Sequence, residues 1–261
     1  MTRLKIRHRL GAAIGSMVFL AACQAIPGEP INDTTLAEKV ERTPEPPATI
    51  PFTRESPFAA EIYTFLVQDQ VVPPEACGTM FLGSSSIRFW FTLEKDFPEL
   101  DVKNRGFGGS TISQATDYFD LIVTPHKPRE IVFYSGENDI AAGATPDEVL
   151  QSLEGWMSKK TGALGDVPVY YISIKPSIAR IDQFEAQSEA NTLISAYADS
   201  REDLFFIDVV PSMMDGDQPR NIFINDHLHM QREGYAIWTT TLSAALSDPQ
   251  RPAASYCDKS E

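Results

Sequence analysis

The sequence predicts an α/β fold, a three-layer α/β/α domain built on a five-stranded, parallel, doubly wound sheet. Three observations lead there. From residue 56 on, short apolar runs alternate with amphipathic stretches, as they do where strands are joined by crossover helices. Five of those runs are four to eight residues long and rich in Val, Ile, Phe or Tyr, which is strand length and strand chemistry. The chain has 261 residues, 43% of them hydrophobic, enough for one well-buried domain and too few for two large ones with tails.

At the N-terminus, Arg3, Lys5, Arg7 and Arg9 stand without an acidic residue ahead of an apolar run from Leu10 to Ala22. A basic region followed by an apolar one of this length reads as a signal peptide over residues 1–22, too short to span a bilayer as a mature helix. Leu20-Ala21-Ala22-Cys23 resembles the lipobox of bacterial lipoprotein signal peptides. The resemblance implies cleavage before Cys23 and lipid on that cysteine; an ordinary secretory signal with a chance cysteine is the alternative. Each buried acyl methylene contributes about 0.8 kcal/mol, so several chains on Cys23 would hold the protein to a membrane surface without a transmembrane helix. The expected location is the bacterial cell envelope, lipid-anchored on its periplasmic or outer-membrane side. Residues 23–57 continue as a tether: seven prolines fall between residues 24 and 57 among Glu, Thr and Ala, a composition that buries too little surface to offset its ordering entropy.

The domain proper is residues 58–261 and opens with a helix over 58–69. Strands are expected at Thr79–Gly83, Asp101–Asn104, Glu130–Ser135, Val167–Ile174 and Leu204–Val209. Helices are expected near 86–96, 111–122, 147–160, 184–199 and 231–246. In open sheets of this kind ligands bind outside the carboxyl ends of the strands, so the residues just after each strand carry the interest.

After the first strand comes Ser84-Ser85-Ser86, and a serine at a strand-to-helix turn suits either a nucleophile or an N-cap. The second strand leads into Gly106-Phe107-Gly108-Gly109, whose glycines permit positive φ and leave N–H groups uncovered, or simply make a turn. Gly136-Glu137-Asn138-Asp139 follows the third; the Asn amide there can donate to an oxyanion or to the backbone of its own turn. Among the histidines, His8 leaves with the signal and His126 lies in Pro125-His126-Lys127-Pro128, a surface-turn composition. His227 and His229 remain, both in Asn225-Asp226-His227-Leu228-His229. Asp226 and His229 are close enough in sequence for the carboxylate to fix the imidazole tautomer while the other ring nitrogen faces a nucleophile.

Together the four segments resemble the SGNH hydrolases, also called GDSL esterases and lipases, whose four blocks contribute Ser, Gly, Asn and His in this order. The resemblance covers residues 78–246 and implies the flavodoxin-like fold of that family. It makes Ser85 of Gly83-Ser84-Ser85 the nucleophile, Asp226 and His229 the acid and base, and the Ser85 N–H, the Gly109 N–H and the Asn138 amide the oxyanion hole. Ser84 stands where the family carries Asp, and Ser84 and Ser86 are the alternatives to Ser85. The implied activity is carboxylic ester hydrolysis of neutral, short-acyl esters in the envelope without cofactor or metal. Acyl transfer to a sugar hydroxyl by the same residues and a non-catalytic lipoprotein that binds envelope polysaccharide are the alternatives. Trp90, Phe107 and Lys175-Pro176-Ser177 are candidates for the pocket walls, or else for core packing.

Removing the signal takes four of 22 basic residues and none of 36 acidic ones, leaving a formal charge of −18. So acidic a surface excludes a nucleic-acid partner and is repelled by anionic headgroups, so that membrane contact would come through the lipid alone. The substrate is then a small-molecule, carbohydrate or lipid ester. A metal reading of Asp139, Asp226, His227 and His229 leaves the Ser, Gly and Asn segments without a purpose. With Cys23 taken by lipid, Cys77 and Cys257 are the remaining thiols of an exported chain and are expected to pair, two free thiols being the alternative.

Overall fold

The computed structural model describes residues 53–257; the signal peptide, Cys23 and the tether up to residue 52 lie outside them. Strands β1 (Thr79–Gly83), β2 (Val102–Gly106), β3 (Glu130–Tyr134), β4 (Val169–Ile172) and β5 (Leu204–Ile207) form one sheet in the order β2-β1-β3-β4-β5. Every neighbouring pair is parallel. The strands are apolar on both faces because both are covered. Met80, Leu82, Ile131, Phe133, Val169 and Tyr171 point into one core, while Phe81, Val132, Tyr134, Tyr170 and Ile172 point into the other, as the two-residue period of a strand requires.

The first face is packed by α1 (Ala59–Val71), α4 (Ile112–Asp117), α5 (Phe119–Ile122), α7 (Pro146–Leu164) and α8 (Phe184–Asp199). The second is packed by α2 (Ser85–Arg88), α3 (Leu93–Asp96) and α10 (Arg232–Leu246). Helix α6 (Glu137–Ala141) follows β3, α9 (Val210–Met213) follows β5, and a short hairpin, β6 (Met214–Asp215) and β7 (Gln218–Pro219), precedes the last loop. This is the expected three-layer, doubly wound α/β fold. Local signals start the longer crossover helix: Thr145 and Glu148 form a capping box with Pro146 in the first turn of α7, which satisfies N–H groups the helix cannot bond itself.

Several boundaries differ from expectation. Strand β2 runs on through Arg105 and Gly106 because its register with β1 continues to Gly83↔Gly106. The single helix expected over 86–96 is two, α2 and α3. Asp96 accepts from Trp90 Nε1 and Thr92 Oγ1, both at 2.7 Å, and these bonds stabilise a turn where a helix would have continued. His126 also departs from its reading as a surface residue. It is 2% exposed, with Nε2 at 3.0 Å from Asp69 Oδ2 and 3.2 Å from an Arg105 guanidinium nitrogen.

Cys77 and Cys257 form a disulfide that spans 180 residues, with Cα atoms 5.6 Å apart. The tail is held there by further bonds, Ala254 N–H to Arg129 O at 2.9 Å and Tyr256 O–H to Pro128 O at 2.7 Å. Cys77 and Pro128 precede β1 and β3, so the tail closes the amino edge of the sheet and leaves the carboxyl edge open. Among the described residues no helix is long and apolar enough to cross a membrane.

Candidate active site

Strand β1 ends at Gly83, where only glycine fits: φ is +149° and a Cβ would fall 2.0 Å from the Tyr134 carbonyl oxygen. The chain therefore turns at once from the sheet's carboxyl edge into α2, of which Ser85 is the first residue. Ser84 and Ser86 are buried. Ser85 is partly open, and its Oγ lies 2.8 Å from His229 Nε2. Burial thus sets Ser85 apart from the serines on either side of it.

His229 stands in a loop closed by a bridge between Phe223 and Met230 and by Ile224 N–H donating to His229 O. Asp226 organises its interior. Oδ1 accepts from the N–H groups of Leu228 and His229, both at 2.9 Å, while Oδ2 lies 2.6 Å from His229 Nδ1. With Nδ1–H donated to Asp226, Nε2 is left to accept the Ser85 hydroxyl proton. Burial pushes the Asp226 carboxyl up, but the bonds from the His229 ring and the two backbone N–H groups outweigh it and hold the group at about 2. His227 makes no side-chain hydrogen bond with this cluster. Its side chain is exposed and its φ is +58°, so it shapes the turn that presents His229.

Gly109 is exposed and takes φ of +80°, with nothing within 4 Å of the place a Cβ would occupy. Backbone conformation asks for glycine here, and its peptide stays uncovered. Asn138, in α6, donates from Nδ2 to Ser110 O at 3.0 Å and accepts at Oδ1 from Arg180 at 3.1 Å. Both amide atoms are thereby oriented, and the second Nδ2 hydrogen is uncommitted. The bond to Ser110 also ties Asn138 to the loop that carries Gly109.

Asp139 lies one residue on but faces away, its carboxylate accepting from Ile112 N–H at 3.1 and 3.3 Å; burial raises its pKa. Among the described residues no group of three or more His, Cys, Asp or Glu side chains is placed to share a metal ion. Phe107, Lys175 and Ser177 are buried, so their packing role prevails over the pocket walls they could have supplied; Trp90 is 1% exposed and borders a cavity that none of Ser85, Asn138 and His229 lines.

Beneath the surface residues runs a buried charge network that sequence reading did not find. Lys175, wholly buried, lies 3.1 Å from Glu137 Oε1 and donates to Leu228 O at 3.0 Å. Tyr134 O–H donates to Glu137 Oε2 at 2.6 Å. Arg180 donates to Glu137 O as well as to Asn138. Burial pushes the Lys175 ammonium down from its ordinary value, with Glu137 opposing. One network therefore grips both the Asn138 helix and the loop of Asp226 and His229. The available signal was Lys175 itself, a lone cation directly after an apolar strand.

A family model, the GDSL-like Lipase/Acylhydrolase family, matches residues 83–237. No curated protein gives a significant match. Among solved structures, a GDSL-like lipase from Bacteroides thetaiotaomicron superposes with a TM-score of 0.61 at 19% identity, covering 73% of this chain and 98% of that one. An acetyl-xylooligosaccharide esterase from Geobacillus Stearmophilus gives a TM-score of 0.54 at 14% identity, covering 66% and 94%. A carbohydrate esterase family 3 protein from Talaromyces cellulolyticus gives 0.54 at 15%, covering 66% and 96%. At these identities the likeness is one of fold.

Proposed function

The chain belongs to the GDSL-like lipase/acylhydrolase family, and from that premise we propose that it is a serine ester hydrolase working through an acyl-Ser85 intermediate on neutral, short-acyl esters. The observation that carries this reading is the unbroken line from Asp226 Oδ2 through His229 to Ser85 Oγ, with contacts of 2.6 and 2.8 Å. His229 Nε2 takes the hydroxyl proton as Ser85 Oγ bonds to the ester carbonyl carbon. The carbonyl oxygen becomes an oxyanion that accepts from the N–H groups of Ser85 and Gly109 and from the free Nδ2 hydrogen of Asn138. When the intermediate collapses, the bond to the alcohol oxygen breaks and His229 delivers its proton to that oxygen. Water, deprotonated by His229, then attacks the acyl carbon; the bond from that carbon to Ser85 Oγ breaks, His229 gives the proton back to Oγ, and the acid is released. The solved relatives described as lipases and carbohydrate esterases support ester cleavage on this fold.

Assays on short-chain nitrophenyl esters test the assignment. Ser85→Ala loses nearly all turnover and Asn138→Ala loses about 10²–10³ in kcat, with folding intact. Wild-type hydrolysis by Ser85→Ala would refute it.

The same reading extends to location. The basic start, the apolar run and Leu20-Ala21-Ala22-Cys23 support a mature protein held to the envelope by lipid on Cys23. Cell fractionation decides it: Cys23→Ser should move the protein out of the membrane fraction, and its retention there would end this part of the proposal.

A further inference from the structure

A groove of about 430 Å³ opens beside His229, between the α2–α3 segment and the loop of residues 223–231. Its walls include Phe89, Phe91, Ile224 and Met230. Phe89 meets the His229 ring edge-on, with centroids 4.9 Å apart. None of Ser85, Gly109 and Asn138 lines it, so among the candidate catalytic residues the groove meets His229 without the oxyanion donors. Several of its polar wall groups already have partners. Arg232 holds Asp96 through both guanidinium ends at 2.7 Å, Thr92 Oγ1 donates to the same carboxylate, and Gln231 Nε2 donates to Phe223 O. Phe91 is 86% exposed and Ile224 48%, an arrangement of large apolar side chains that costs free energy in water unless something covers it.

From this placement we infer that the groove receives the alcohol moiety of the ester, and that this moiety is an alkyl or aryl group in preference to a sugar. The inference rests on the proposed hydrolase reading. Once the carbonyl oxygen points to Gly109 and Asn138, the leaving oxygen must lie at His229 Nε2 to receive its proton. The rest of the alcohol then continues past His229, and the groove is the space there. Its walls are mostly large apolar side chains, and Thr92 and Arg232 already hold Asp96, so a polyhydroxylated alcohol would recover few of the water contacts it gives up.

Two ester series separate the outcomes. Ethyl, butyl and hexyl acetates vary the alcohol at nearly constant leaving ability, while ethyl acetate, butyrate and hexanoate vary the acyl group. In the native enzyme kcat/KM should rise at least about tenfold from ethyl to hexyl acetate. In the Phe91→Ala, Ile224→Ala double variant, both positions being exposed enough to change without disturbing the core, that ratio should fall toward one while the acyl-series ratio stays as in the native enzyme. A native ratio near one, a ratio that survives the double substitution, or a collapse of the acyl series instead would each overturn the assignment. Absence of Ser85-dependent turnover for every ester would refute the hydrolase reading itself, and the groove would lose its occupant with it.

Discussion

Asp226 is 42% exposed as a side chain, yet its carboxyl is held at about 2 against an ordinary 3.8, which makes it as much a conformational clamp as a partner to His229. Both oxygens are spent inside a single turn. A carboxyl whose folded pKa is depressed adds stability that is fully present above the unfolded value and is lost as pH falls through the folded one. Asp226→Asn should therefore melt below the native protein at neutral pH, and the two melting curves should converge as pH falls from about 4 toward 2. Thermal unfolding at several pH values reads this directly; a gap that persists at pH 2 would mean that the clamp is not electrostatic. The residues that the structure brings together at the candidate site could be picked out in the sequence because each lies in a short contiguous signal at a strand end or, for Asp226 and His229, three residues apart. Ser85 is singled out by its place in the first block; the burial that sets it apart from Ser84 and Ser86 was not legible, since it involves β3 and α10, distant in sequence: Tyr134 O accepts from Ser84 N–H and Tyr235 O–H donates to Ser86 O.

At the scale of elements, the site depends on how α6 and the loop of residues 223–231 are held to each other, and Lys175 links them. Its ammonium bonds Glu137 on one side and Leu228 O on the other, 38 and 53 residues away. Such a pairing is invisible to periodicity, which sees only that a lysine follows a strand. Removing one member of a buried ion pair strands the other charge and costs about 3–5 kcal/mol, whereas replacing both is far milder. Glu137 keeps Arg180 at 3.6 Å, so Lys175→Met should destabilise the fold by no more than about that amount, and adding Glu137→Gln should recover part of it. Urea unfolding of the single and double variants measures both. The native-like fraction of Lys175→Met should also lose kcat, because the Leu228 carbonyl, two residues from Asp226, is no longer anchored. The same long-range logic explains the misread 86–96 segment. Its helical pattern was real, but the Asp96 carboxylate, shared among Trp90, Thr92 and Arg232, sets a turn that local propensity does not encode.

Across the whole molecule, the disulfide and the candidate catalytic residues lie at opposite edges of one sheet. The carboxyl edge carries Ser85, Gly109, Asn138 and the loop of His229. The amino edge carries the Cys77–Cys257 disulfide and the tail, together with Glu130, fully buried and bonded by Thr79 Oγ1 at 2.7 Å and by Arg251 at 2.8 and 3.1 Å. The order of strands and helices was legible in sequence because a parallel sheet covered on both faces demands apolar runs, and the two cysteines pointed to each other by elimination; the ion pair of Glu130 and Arg251, 121 residues apart, left no local trace. Closing a loop of 180 residues restricts the unfolded chain by up to about 5 kcal/mol in the chain-entropy account, less if the unfolded state stays compact. That effect acts on the unfolded state and not on the site. The Cys77→Ala, Cys257→Ala variant should therefore unfold at lower urea concentration while its folded fraction keeps the native kcat/KM. Parallel denaturation and ester assays on the same preparation decide the point. A fall in kcat/KM beyond the fraction unfolded would show that the tail's grip on the amino edge is transmitted through β1 and β3 to the residues at their far ends, and that the two edges are one cooperative unit in function as well as in fold.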